Sequence, residues 1–186
     1  VMREAGHPIP DSNSFDATKQ ALDLVMDLEA RDTVLLLISG GGSALFEQPL
    51  IAPEELQDIT DQLLRSGADI TEINTIRKRL SAVKGGRFAE RCQPARVVSI
   101  ILSDIIGDPL DMIASGPAYP DSSTCADAAR IINRYGIRLS EEAQALMAQE
   151  TPKSLPYVTS LVTGSVTVLC DAAENKAREL GYEPVI

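Results

Sequence analysis

The sequence predicts a doubly wound α/β protein, in which a mostly parallel sheet carries helices on both faces. Two short apolar runs, residues 34–38 and 97–102, are bounded by polar residues, as is typical of parallel strands buried on both faces. Segments with helical periodicity alternate with these runs, as they do in βαβ units.

Composition limits the class of protein and of partner. The 186 residues suffice for one good core, and a hydrophobic content of 44% places the chain among ordinary globular proteins. The net charge of -10 argues against a nucleic-acid or membrane-surface partner, although a small anionic substrate would respond to local donors instead. Three scattered cysteines, Cys92, Cys125 and Cys170, indicate a reducing, cytoplasmic setting without disulfides or a zinc site. No apolar run approaches the ~20 residues of a membrane helix.

Helices are predicted before and between the strands. Residues 12–14 are expected to cap a first helix whose apolar face comprises Ala17, Ala21, Leu22, Val25 and Leu28. Pro53 fits the first position of the next helix, which Gly67 ends and whose buried stripe comprises Leu56, Ile59, Leu63 and Leu64. A further helix begins near Thr71, with Ile73, Ile76, Leu80 and Val83 facing inward.

The remainder of the chain is predicted to be scaffold. Helices are expected at residues 124–135 and 140–149, followed by a strand at residues 157–162. Gly164 and Ser165 then open an amphipathic helix that Gly181 ends.

A glycine-rich turn follows the first predicted strand. We call residues 39–43 the glycine turn; its members are Ser39, Gly40, Gly41, Gly42 and Ser43. Without Cβ atoms the backbone can approach a ligand closely, and its N–H groups can converge on an anion. Ligands of such sheets bind at the carboxyl ends of the strands. The turn therefore predicts a phosphate or carboxylate site, with an ordinary surface turn as the alternative.

A basic cluster precedes a second glycine pair. Its side chains are Arg77, Lys78, Arg79 and Lys84, and Gly85 and Gly86 come directly afterwards. Such a cluster beside exposed backbone is suited to an anion, whereas the simpler interpretation is a solvent-exposed helix face.

The second predicted strand ends on Ser103 and Asp104. Parallel strands bring such loops to the same edge of the sheet, so Asp104 is expected at the mouth of the cleft, unless it only caps a turn. A proline-punctuated loop over residues 114–121 follows, and loops of this length often form lids.

The sequence lacks residues that several common catalytic and binding motifs require. A dinucleotide fingerprint or a nucleophile elbow at the glycine turn would need glycine at position 45, where Leu45 stands. The P-loop Gly-Lys-Ser/Thr is absent, and His7, whose simplest interpretation is a loop residue, is the sole histidine for a catalytic triad. No cluster has metal-ligand spacing. Phosphoryl transfer and simple anion binding remain.

The combined motifs resemble the glycerate 2-kinase family, also called after its MOFRL domain and often labelled hydroxypyruvate reductase. The resemblance rests on Gly-His-Pro-Ile-Pro-Asp at residues 6–11, the glycine turn with Ala44-Leu45, Asn-Thr-Ile-Arg-Lys at 74–78, Lys-Gly-Gly-Arg at 84–87, Leu-Ser-Asp at 102–104, Gly-Asp-Pro at 107–109 and Ile-Ala-Ser-Gly-Pro at 113–117. It is dense to about residue 121 and looser beyond.

The resemblance implies a Rossmann-like domain and ATP-dependent phosphorylation of D-glycerate at its 2-hydroxyl, with Mg²⁺ and with metal ligands left open. Asp104 matches the general base, and the glycine turn, Arg77, Lys84, Gly85, Gly86, Ser115 and Gly116 match the substrate and nucleotide cleft. The partners implied are small molecules, with a homo-oligomer left open. The alternatives are an oxidoreductase acting on hydroxypyruvate and a non-catalytic anion-binding domain.

The resemblance also carries an expectation about domain organisation. The family has an opening βα segment with a lysine and a C-terminal MOFRL domain with an arginine, and neither segment matches this sequence. We therefore expect residues 1–186 to be most of the N-terminal domain, truncated at both ends and inactive by itself.

Overall fold

The computed structural model describes residues 2–7 and 9–185, so Pro8 of the predicted loop at residues 6–11 lies outside the described residues. Three parallel strands form one sheet in the order β1-β2-β3: β1 Thr33–Ser39, β2 Arg96–Leu102 and β3 Val158–Gly164. The helices are α1 Ser12–Leu24, α2 Gly42–Leu45, α3 Pro53–Arg65, α4 Ile70–Arg79, α5 Arg87–Arg91, α6 Cys125–Tyr135, α7 Glu141–Met147 and α8 Val166–Glu179. The predicted α/β class with a parallel sheet is confirmed.

Helix boundaries follow local capping chemistry. Asp11, rather than the predicted serines, caps α1 by accepting a hydrogen bond from the N–H of Ser14 at 2.9 Å. Asp69 and Thr124 form the same reciprocal cap for α4 and α6, and Pro53 occupies the first turn of α3 as predicted. Two short helices, α2 and α5, are absent from the prediction because four or five residues carry no readable periodicity.

The helices α3, α4, α6 and α7 share one apolar core. The inward face predicted for α4 is confirmed for Ile73, Ile76 and the C-cap Leu80, of which the last two are fully buried. Val83 is also fully buried, but it lies beyond the end of α4 and packs with Phe88 and Val97 instead. In α3, Ile59 and Leu63 are also fully buried, but Leu64 is 59% exposed, so its predicted place in the buried stripe is wrong. Leu64 follows Leu63 by one position, which is about 100° around the helix, and therefore points away from the face formed by Leu56, Ile59 and Leu63.

A second core joins the sheet to α1 and α5. It comprises Val25, Val83, Phe88, Ala89, Cys92, Val97, Ala118 and Leu155, against which Val34 and Leu36 of β1 pack. The opposite side of β1 carries Leu35 and Leu37, which are 60% and 69% exposed. The prediction that β1 is buried on both faces is therefore wrong for the described residues, whose burial alternates along the strand.

Candidate active site

Strand register brings two polar loops to one edge of the sheet. Ser39, the last residue of β1, lies beside Leu102, the last residue of β2. The glycine turn and the Ser103-Asp104 segment therefore leave the sheet side by side, as the sequence predicts. Gly41 has a φ of 77°, which bends the turn into α2 and favours glycine at that position.

Gly40 and Asp104 are in direct contact. A Cβ built on Gly40 would lie 2.0 Å from both Cγ and Oδ2 of Asp104, so the carboxylate occupies the space that any other residue at position 40 would fill. Asp104 is solvent-exposed, and its carboxylate has no hydrogen-bond partner within the described part of the chain. Because Gly40 has no side chain, the carboxylate of Asp104, an accessible proton acceptor, can lie directly against the glycine turn.

The backbone of the glycine turn also keeps a free donor. The main-chain N–H of Gly41 donates to no other described residue, whereas that of Gly40 faces the carbonyl of Leu102 through the parallel pairing of Ser39 with Leu102. Such N–H groups are strong donors that require a partner, from protein, water or ligand. Together with Asp104 the N–H of Gly41 gives the edge of the sheet both a donor and an acceptor.

Ser115 and Gly116 line the other side of the glycine turn. The hydroxyls of Ser43 and Ser115 lie 2.9 Å apart, and the Ser115 hydroxyl also donates to Oδ1 of Asn74 at 3.4 Å. Ala114, Ser115 and Gly116 all have positive φ, between 50° and 64°. At Gly116 a Cβ would stand 2.9 Å from the carbonyl oxygen of Asp111, so only glycine fits. Ala114 and Ser115 are thus held in a strained backbone conformation, as often occurs at functional sites.

Gly85 and Gly86 contact this segment from below. The N–H of Gly85 donates to the carbonyl of Ser115 at 3.0 Å, and that of Gly86 donates to the carbonyl of Gly116 at 2.7 Å. Their amides are therefore occupied within the protein, where they fix the curvature of the 115–116 segment. Ligand contact by these two glycines stays a prediction.

Lys84 is fully buried beneath the glycine turn. Its Nζ donates to the carbonyls of Ser43 at 2.6 Å and Phe46 at 3.1 Å, and it pairs with Glu47 at 3.3 Å. Burial lowers the pKa of the Lys84 ammonium, and the charge of Glu47 opposes that change. Arg77 lies 3.7 Å from the same carboxylate, with its side chain 16% exposed. Lys84 therefore supports the turn from within, and its predicted contact with a ligand stays untested.

The rest of the basic cluster is buried as well. Lys78 bonds to Asp121 at 3.0 Å and Asp111 at 3.3 Å, and Arg79 lies 3.8 Å from Asp121. Burial by itself would raise the pKa of Asp121, but the charge of Lys78 and the hydrogen bonds from Thr151 and Ser123 hold it below its ordinary value. The solvent-exposed helix face proposed for this cluster is thus wrong for Lys78, Arg79 and Lys84.

Three further residues at the site were not assigned a role from the sequence. Glu47 is completely buried, Asn74 reaches Ser115, and Nε2 of His7 is 3.9 Å from the point that a Cβ on Gly41 would occupy. No local pattern marks Glu47, whose role depends on cations far along the chain. His7 and Asn74 lie inside the quoted motifs, which were the available signal.

The described residues do not provide a complete set of metal ligands. They hold no group of three or more histidine, cysteine or acidic side chains suited to a metal. Mg²⁺ in phosphoryl-transfer sites commonly takes one or two carboxylates and completes its shell with phosphates and water. Asp108 fits that requirement, because its Oδ1 is buried without a hydrogen-bond partner among the described residues.

No helix in the described part of the chain combines the length and the apolar character needed to cross a bilayer.

Comparison with known proteins gives one consistent family. The domain described as "Domain of unknown function (DUF4147)" matches residues 1–148. The D-glycerate 2-kinase of Thermotoga maritima is 54% identical over 185 residues, which are 98% of this chain and 44% of that protein. The glycerate 2-kinase of Pyrococcus horikoshii is 43% identical over 98% of this chain and 44% of its own length. A crystal structure of glycerate kinase from Thermotoga maritima superposes with a TM-score of 0.90 at 55% identity, covering 96% of this chain and 44% of that one. The chain thus spans less than half the length of these relatives.

Proposed function

Because the chain belongs to the glycerate 2-kinase family through its DUF4147 domain, we propose that it forms part of the active-site cleft of an ATP-dependent D-glycerate 2-kinase. The reaction transfers the γ-phosphoryl group of ATP to the 2-hydroxyl of D-glycerate. The identity to named kinases favours this activity over the oxidoreductase alternative.

The observation that carries the proposal is the contact between Gly40 and Asp104. A carboxylate fixed at the end of a strand and left without an internal partner can accept a hydrogen bond from the acceptor hydroxyl. It would orient that hydroxyl towards the phosphorus atom and take its proton as the new O–P bond forms. In loose phosphoryl-transfer transition states, this orientation accounts for much of what a base contributes.

The glycine turn would hold negative charge beside that base. The N–H group of Gly41 is a free donor in the described structure, and backbone donors in such turns bind phosphate or carboxylate oxygens. Ser39 is exposed at the same edge. Ser115, whose hydroxyl lies 2.9 Å from that of Ser43, and Arg77 would also contact the ligand, and the buried Lys84 would support the turn through the carbonyl of Ser43.

Mg²⁺ bound with the nucleotide would neutralise charge on the phosphates. Asp108 would be its protein ligand, because its buried Oδ1 is otherwise unpartnered among the described residues.

We also propose that residues 1–186 correspond to most of the N-terminal Rossmann-like domain of a two-domain enzyme. The support is the coverage of 44% of the relatives' length, which leaves more than half of each relative outside the match. The cleft would then be completed by segments outside these residues, and a cytoplasmic location would suit the free cysteines.

Asp104→Asn in the complete two-domain enzyme tests the function. We expect kcat for glycerate phosphorylation to fall by ~10²–10⁴-fold, the usual contribution of a general base, with little change in the KM for glycerate. Production of ADP, followed with a coupled spectroscopic assay, measures both parameters. Wild-type enzyme that forms no 2-phosphoglycerate would reject the proposal.

Asp108→Asn is the matched control, four positions away. Because Asp108 is the proposed metal ligand, added Mg²⁺ should restore part of its loss in kcat, whereas the loss in Asp104→Asn should persist; without a metal role, Asp108→Asn should reduce kcat less. If Asp104→Asn keeps a near-normal kcat, the carboxylate only caps a turn.

A further inference from the structure

The one histidine of the sequence faces the glycine turn across an open gap. Its Nε2 lies 3.9 Å from the point where a Cβ on Gly41 would stand, and apart from Gly40, Gly41 and Gly42 no other described residue comes within 4 Å of that point. Because position 41 is glycine, no side chain fills the gap between the imidazole and the turn. His7 is itself exposed to solvent, so a ligand could reach its ring.

The loop that carries His7 is tied down on both sides. Asp11 accepts from the N–H of Ser14 at 2.9 Å, and the N–H of Asp11 donates to the Ser14 hydroxyl at 3.2 Å. A Cβ on Gly6 would lie 2.9 Å from Oδ2 of Asp11, so the chain passes close to that carboxylate immediately before His7. The N–H groups of Ser14 and Gly6 hold the pKa of Asp11 below its ordinary value. The capping residue of α1 thereby also fixes the approach of His7.

The gap is lined by donors on both sides. The N–H group of Gly41 has no acceptor among the described residues, and His7 can donate from Nε2. Asp104 lies against Gly40, the neighbouring residue of the turn, and in the proposed function it accepts from the acceptor hydroxyl. Converging donors with an adjacent but separate carboxylate are suited to a ligand that carries an anionic oxygen next to a hydroxyl.

We propose that His7 is a substrate-binding residue that donates a hydrogen bond from Nε2 to an anionic oxygen held at the glycine turn. This oxygen belongs to the carboxylate of the hydroxy acid or to a phosphate of the nucleotide. The proposal rests on the proposed kinase function and adds a binding residue to it.

Kinetics of His7→Leu and His7→Gln in the complete enzyme test the role. Loss of a charge-assisted hydrogen bond should raise one KM by about 10- to 100-fold with His7→Leu, while kcat changes less than about threefold. His7→Gln keeps a donor near the position of Nε2 and should recover much of the affinity. Ile9→Ala, in the same loop and 59% exposed, should leave both KM values unchanged.

Two measurements identify the molecule that carries the anionic oxygen: which KM rises in His7→Leu, and which ligand shifts the NMR signals of the His7 imidazole. In the complete enzyme labelled with ¹⁵N-histidine, the imidazole NMR signals that disappear in His7→Gln belong to His7, and they can be followed while D-glycerate, inorganic phosphate or ATP is added. A shift with glycerate alone identifies the carboxylate, and a shift with phosphate or ATP identifies a phosphoryl oxygen.

Failure of this proposal can be distinguished from failure of the function. Unchanged KM values in His7→Leu and a ring that responds to none of the three ligands would overturn the role of His7, even if Asp104→Asn still lowers kcat. A complete enzyme without kinase activity whose His7 ring still shifts with an anion would reject the function and support the anion site.

Discussion

Gly40→Ala isolates the contact between the glycine turn and Asp104. The new Cβ would lie 2.0 Å from Cγ of Asp104, whereas unbonded carbon atoms in contact stay ~3.5–4.0 Å apart. The carboxyl group must therefore move by about 1.5 Å or more. Because Asp104 is exposed, it can move into solvent without disturbing a core.

The expected displacement of the Asp104 carboxylate exceeds the distance at which misplaced catalytic groups lose much of their activity. A misplacement of 1 Å can cost ~10²-fold in rate. We expect kcat in the complete enzyme to fall by ~10²–10³-fold, and by no more than Asp104→Asn causes. Gly40 lacks a positive φ, so alanine is not strained there and the unfolding free energy should change by less than about 1 kcal/mol.

A double-mutant cycle gives the decisive assay. The steady-state rate of ADP release is measured for Gly40→Ala, for Asp104→Asn and for the combined variant. If both changes act on one carboxylate, the combined loss should equal that of Asp104→Asn rather than the product of the two. Gly42→Ala is the control within the same turn, because its Cβ would approach Ala114, at 3.1 Å, and not Asp104. Multiplying losses, or near-normal kcat in Gly40→Ala, would refute the reasoning.

Two predictions concern the buried ion pairs. Lys84→Met leaves the buried Glu47 carboxylate with only Arg77 nearby, so the unfolding free energy measured by urea titration should fall by about 3–5 kcal/mol. Adding Glu47→Gln should recover part of this loss. Full stability in Lys84→Met would contradict the pairing of Lys84 with Glu47. The pKa of Asp121 is below its ordinary 3.8 in the folded protein, so its pairing with Lys78 stabilises the fold above about pH 4 and is lost as the pH falls through the lowered value. Asp121→Asn should therefore flatten the acid side of a plot of urea midpoint against pH, and an unaltered profile would argue that other carboxylates set it.

The secondary structure could largely be predicted from local patterns. The predicted second strand coincides with β2, and the helix predicted from residue 124 is α6 with Thr124 as its cap. These elements have strong periodicity and capping residues, which are properties of neighbouring letters. The burial of Leu35 and Leu37 was predicted wrongly because a continuous apolar run does not reveal which face of a strand is covered.

The candidate site could be predicted in part. Topology alone places the glycine turn and Asp104 at one edge, but their direct contact depends on the register that aligns Ser39 with Leu102. The environment of the basic residues was not predictable locally. Lys78 meets Asp121 from 43 residues away, and only the folded chain shows that this helix face is covered by acids instead of water.

These distant ion pairs have a consequence for the breathing motions of the protein. The sequence allowed residues 114–121 to be a lid, but Asp121 is bound to Lys78, and Gly85 and Gly86 hold the carbonyls of Ser115 and Gly116. Detaching this segment alone would strand a buried ammonium, so α4 and the segment should open as one cooperative unit. Their amide hydrogens would then exchange with solvent at the same slow rate, while the exposed loop at Ile106 and Gly107 exchanges quickly. In the proposed cleft, the wall behind the glycine turn would then be rigid, and a substrate would have to adapt to it.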